Sequence, residues 1–130
     1  AGQLPWPASG RIIAKFGRQW NSKLKTTTEN PGIDIKGQPG SAIRTVLGGV
    51  VTTITYIRGY GTTIIIDHGG GFYTVYSHVT NIQATVDSEV RNGDVIAYMG
   101  DSGSINGSKL HFEIWGKGQK LDPEKWLRKK

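Results

Sequence analysis

The chain has 130 residues, no cysteine and a formal charge of +6. That length suits one domain able to bury its own core, and the lack of thiols excludes disulfides and thiolate metal sites. No apolar run approaches the roughly 18 residues of a membrane span, and the cations are dispersed, without the basic-aromatic stripe or helix-turn-helix pattern of a nucleic-acid binder, so the charge points to acidic partners of another kind.

The opening "AGQLPWP" has neither the basic start nor the apolar stretch of a signal peptide, and the chain begins without methionine, which suggests a mature form or a piece of a longer protein. "RIIAKFG" then reads as a short strand. "GRQWNSKLKTTTENPG" lacks period-two alternation and is expected to be a loop, spanning about 18–31, that frames a surface site. It carries Arg18, Trp20, Lys23 and Lys25. In "NPGIDI", Asp34 stands between Ile33 and Ile35; if the isoleucines face the core, the carboxylate faces the opposite side of its strand.

The middle of the chain is strand after strand. "GGVVTTITYIRG", "GTTIIIDHG", "GFYTVYSHV" and "DVIAYMG" are rich in Val, Ile, Thr and Tyr and punctuated by glycine. The glycines of "DHGGGF" supply positive φ for a tight hairpin, so the strands on either side should pair antiparallel, with His68 exposed in the turn and His78 at a strand end. "GDSGSINGSK" reads as a second framing loop. "KLHFEIWG" is a strand whose Lys109 and His111 project from one face, and "DPEKWLRK" is a final helical turn that Asp122 caps and Pro123 opens. The expected fold is therefore all-β, an antiparallel sandwich or partly closed barrel in a single domain over 1–130.

Several ordered motifs, from "LPWP" and "GRIIAKFG" through "NPGIDI", "GYGTTIIIDHGGGFYTVYSHV" and "VRNGDVIAYMGDSG" to "KLHFEIW" and "LDPEKWL", resemble the lysostaphin-type, or LytM, zinc metallopeptidases that cut peptidoglycan cross-bridges. That family carries His-x-x-x-Asp, a separate Tyr-x-His, and His-x-His. The resemblance puts the aspartate ligand at Asp34, the last histidine ligand at His111 and a catalytic histidine at His78. At the other two positions the sequence departs from the pattern: Asn30 replaces a ligand histidine and Lys109 a catalytic one.

A catalytic zinc takes about three protein ligands and an open position for water. Asp34 and His111 supply two, and an amide oxygen from Asn30 is a poor third for zinc. An ammonium about 5 Å from a divalent ion costs about 6–7 kcal/mol at an effective dielectric near 20. The site is thus expected to be a vestige without zinc or any other cofactor, in which Lys109 pairs with Asp34. What the resemblance then implies is a degenerate member of the family, like the EnvC-like murein hydrolase activators. Such a domain would end a longer protein of the periplasm or cell envelope and bind a cell-wall N-acetylmuramoyl-L-alanine amidase through a groove bearing Arg18, Trp20, Lys23, Lys25 and Lys109. The alternatives are a passive scaffold holding peptidoglycan, and a surviving zinc endopeptidase. A biotinyl or lipoyl carrier domain is disfavoured because the central hairpin tip has no lysine.

Overall fold

A computed structural model describes residues 2–101 and 107–130. Among the described residues the strands are, in chain order, β1 (Arg11–Ala14), β2 (Gly17–Asn21), β3 (Thr26–Asn30), β4 (Ile33–Lys36), β5 (Ala42–Arg44), β6 (Gly49–Ile57), β7 (Gly61–Gly69), β8 (Phe72–Ser77), β9 (Val79–Thr80), β10 (Glu89–Val90), β11 (Val95–Met99), β12 (Lys109–Gly116) and β13 (Gln119–Leu121). Among the described residues one 3₁₀ turn, Pro123–Lys125, follows β13; the Asp122 side chain accepts from Glu124 N at its start, and Pro123 opens it.

The principal sheet is antiparallel in the order β1-β4-β12-β8-β7-β6-β10, with β13 added along β12. It does not close on itself, so of the two expected architectures the sandwich describes the molecule better than the barrel. A smaller sheet, β5-β11-β9, supplies Ile43, Ala97, Met99 and Val79 to the core. Alternation decides what faces inward. On β4, β12 and β7 the residues Ile33, Ile35, Leu110, Phe112, Ile114, Ile64 and Ile66 are buried in one cluster with Tyr76 of β8. The residues between them necessarily point to the other face of the sheet. There Asp34, Lys109, His111 and Glu113 come together.

The hairpin across "DHGGGF" forms as expected, with Ile64 opposite Tyr76 and Ile66 opposite Thr74. The expected loop over 18–31 is instead a two-stranded sheet, β2 against β3, with Arg18 opposite Glu29 and Trp20 opposite Thr27. Nearly all of its residues are exposed on both faces, so no apolar alternation marks it. Its turn is set locally: Asn21 Oδ1 accepts from the backbone N–H groups of Lys23 and Leu24, and Lys25 takes a left-handed φ of 52°. The second framing loop falls mostly on residues 102–106, outside the described residues.

Candidate functional site

Register brings the site together. β12 lies between β4 and β8, so His111 stands opposite Asp34 on one side and Ser77 on the other. Close passage of the chain into β4 depends on Gly32, because a Cβ there would lie 2.1 Å from the Phe112 carbonyl oxygen. Along the outward face of β12 the side chains of Lys109, His111, Glu113 and Trp115 follow at every second residue, and the first three are buried.

These groups form a chain of alternating charge. Lys109 Nζ donates to Asp34 Oδ2 at 2.6 Å. Asp34 Oδ1 accepts from His111 Nδ1 at 2.6 Å, and His111 Nε2 donates to Glu113 Oε2 at 2.7 Å. Glu113 Oε1 takes the indole N–H of Trp115 at 2.7 Å, with the half-exposed Lys120 ammonium 3.6 Å away. Burial by itself pushes the Asp34 carboxyl up, but the hydrogen bonds and charges of His111 and Lys109 outweigh it and hold the group below its ordinary value. Glu113 is lowered in the same way: burial raises it, and His111, Trp115 and Lys120 more than reverse that. For His111 burial favours the neutral ring, yet two carboxylates facing its two nitrogens raise its pKa. With a carboxylate oxygen within hydrogen-bond distance of each ring nitrogen, the arrangement favours the imidazolium, which donates from both sides.

Tyr60 covers this chain, its ring centroid 4.9 Å from that of His111 and 6.4 Å from that of His78. Burial, followed by the nearby Glu113 and Asp34 charges, pushes its hydroxyl up. His78 is buried between β8 and β9 with a left-handed φ of 64°, and its backbone N–H donates to the Tyr60 carbonyl. A non-glycine residue in that conformation carries backbone strain that the surrounding structure must hold. Asn30 closes β3, where its side-chain oxygen accepts from Gly32 N at 3.1 Å and shapes the turn into β4.

The donors present do not fit a zinc ion. An imidazole ligand must offer a lone pair, and both nitrogens of His111 already face carboxylate oxygens at hydrogen-bond distance. Both oxygens of Asp34 are already engaged, one by the Lys109 ammonium and the other by His111 Nδ1. Among the described residues no group of three or more histidine and acidic side chains is arranged to hold a metal.

Lys109, placed by sequence on a partner-binding groove, is only 9% exposed and lies beneath the surface with its charge engaged by Asp34. Arg18, Trp20, Lys23 and Lys25 are exposed on the β2–β3 hairpin. His68 corrects another expectation: it is half-buried, with Nδ1 2.8 Å from the Gly48 carbonyl oxygen and Nε2 2.7 Å from Thr74 Oγ1. Its parity with Ile64 and Ile66 already points it to the core side, and burial lowers its pKa. Glu113 and, beyond a packing role, Trp115 are not singled out from sequence, nor is Tyr60. Continuing the two-residue period from Lys109 and His111 finds the first two, whereas Tyr60 arrives from a distant turn.

Comparison with known proteins bears directly on this geometry. The profile of peptidase family M23 matches residues 28–123, a span that includes Asn30, Asp34, His78, Lys109 and His111. The chain belongs to that family. This M23 domain is 42% identical over 123 residues to outer membrane antigenic lipoprotein B of Haemophilus influenzae, covering 94% of this chain and 28% of the relative. It is 31% identical over 126 residues to the murein hydrolase activator EnvC of Escherichia coli, covering 97% of this chain and 29% of the relative. The M23 domain thus spans less than a third of either relative. Its fold is similar to that of a zinc-containing peptidase from Vibrio cholerae, with a TM-score of 0.85 at 21% identity, over 94% of this chain and 39% of that one.

Proposed function

We propose that this M23 domain does not cut peptidoglycan but activates an enzyme that does, a cell-wall N-acetylmuramoyl-L-alanine amidase of the cell envelope. The observation that carries the reading is the Lys109–Asp34 pair: an ammonium 2.6 Å from the carboxylate that would otherwise serve a metal. The site's own charges are mutually satisfied, and no group in the chain from Lys109 to Glu113 is left to activate a water. The resemblance to a murein hydrolase activator over nearly the whole of this chain supports the second half of the proposal. On this reading residues 1–130 form one domain of a longer protein.

The exposed hairpin supplies the partner surface. Trp20 is 64% exposed, an aromatic anchor of the kind that dominates interface energies, and Arg18, Lys23 and Lys25 flank it. These cations set encounter rate and register against acidic groups of the amidase, while Lys109 contributes to the floor beneath.

Purification without chelator, elemental analysis and incubation with labelled peptidoglycan test the non-catalytic half. The expected result is far less than one zinc per chain and no released fragment. About one zinc per chain together with zinc-dependent release of cross-bridge peptides would replace this reading with that of a working endopeptidase.

A further inference from the structure

We propose that the end of the principal sheet remote from Lys109 carries a saccharide-binding cleft, built on the rings of Tyr73 and Trp115. The two residues are opposite each other on β8 and β12, with ring centroids 6.2 Å apart and planes inclined at 54°. With Gly71, Gly118, Gln119 and Lys120 they line an open cleft of about 330 Å3, at the lower end of the range for small-ligand sites.

Three features distinguish this cleft from an ordinary cross-strand aromatic pair. The Trp115 ring is fixed in orientation by its N–H bond to Glu113 Oε1, and Glu113 is itself held by His111, so the platform is rigid before any ligand arrives. The wall is cut low by glycine. Gly71 and Gly118 have φ values of 82°, nothing stands within 4 Å of a Cβ position on Gly118, and the two turns are tied by Lys117 N to the Gly71 carbonyl oxygen. Finally, the rim is polar: Gln119 and Lys120 are exposed, and the Lys120 ammonium lies 5.8 Å from the Trp115 ring centroid. Ring faces beside an amide and an ammonium suit a ligand that is apolar on its faces and hydroxyl-bearing at its edge. That is the chemistry of a pyranose. A purely apolar ligand would leave the rim donors desolvated without partners.

The site is separate from the exposed β2–β3 hairpin, so its test is independent of the amidase reading. The probes are cellotriose, which offers pyranose faces and hydroxyls alone, and chitotriose, which adds acetamide groups for Gln119. Each is titrated into the 15N-labelled domain while the four indole N–H signals are followed by NMR, with Trp115→Phe assigning one of them. The expected result is a saturable shift of the Trp115 signal at millimolar sugar, with the Trp20 signal unmoved, and binding weakened about tenfold in Tyr73→Ala. No saturable shift with either sugar, or a shift unchanged in a folded Tyr73→Ala variant, overturns the proposal.

Discussion

Asp34 holds two cations apart, and its removal exposes what the arrangement does for stability. Asp34→Ala would leave Lys109 and His111 buried side by side with no anion between them, and breaking a buried pair in this way costs about 3–5 kcal/mol. Urea unfolding should show that loss as a lower midpoint with little change in slope. The same groups fix the pH dependence. The pKa of His111 is raised in the folded state, so its contribution is complete below the ordinary histidine value and fades as pH rises through the folded one. Asp34 and Glu113 are lowered, so theirs is complete above ordinary carboxylate values and fades as pH falls through the folded ones. Stability should therefore peak in the mildly acidic range between the two limbs. His111→Gln should flatten the alkaline limb in unfolding curves taken across pH; an unaltered limb would mean that the ring is not the imidazolium described.

The β2–β3 hairpin and β12 illustrate opposite extremes of what sequence reveals about an element. β12 alternates buried apolar residues with the site residues, so its existence, its inward face and the shared side of Lys109 and His111 were all legible. The Lys109–Asp34 pairing followed from the family resemblance, which put both residues at one site, together with their opposite charges. The hairpin buries neither face, which removes the alternation that marks a strand. His68 differs from its expectation for another reason: the glycines that follow it suggested a turn, but β7 runs on through His68 to Gly69 before the chain turns. An isolated two-stranded sheet is marginal by itself, and Trp20 adds little to it by burial. Trp20→Ala should accordingly change unfolding stability by less than about 0.5 kcal/mol while weakening amidase binding by about 2 kcal/mol in calorimetric titration. Equal affinity of the variant and the wild type would remove the hairpin from the interface.

At the scale of the molecule, an open eight-stranded sheet buries apolar side chains on one face and carries the charged chain on the other. The all-β class was legible because short runs rich in Val, Ile, Thr and Tyr recur between glycines throughout. The sheet order was not, since β4 and β12 meet through residues such as Asp34 and Lys109 that lie 75 positions apart, and only tertiary packing sets which strands become neighbours. That long-range meeting sets the Lys109 ammonium against the Asp34 carboxylate on the outward face of the sheet. The central claim, that such a framework stimulates hydrolysis without performing it, is tested most directly by dye release from labelled peptidoglycan, with the domain alone, a cognate amidase alone, and the two together. The account predicts no release by the domain alone, slow release by the amidase and clearly faster release by the pair; release by the domain alone, or a pair no faster than the amidase, would contradict it.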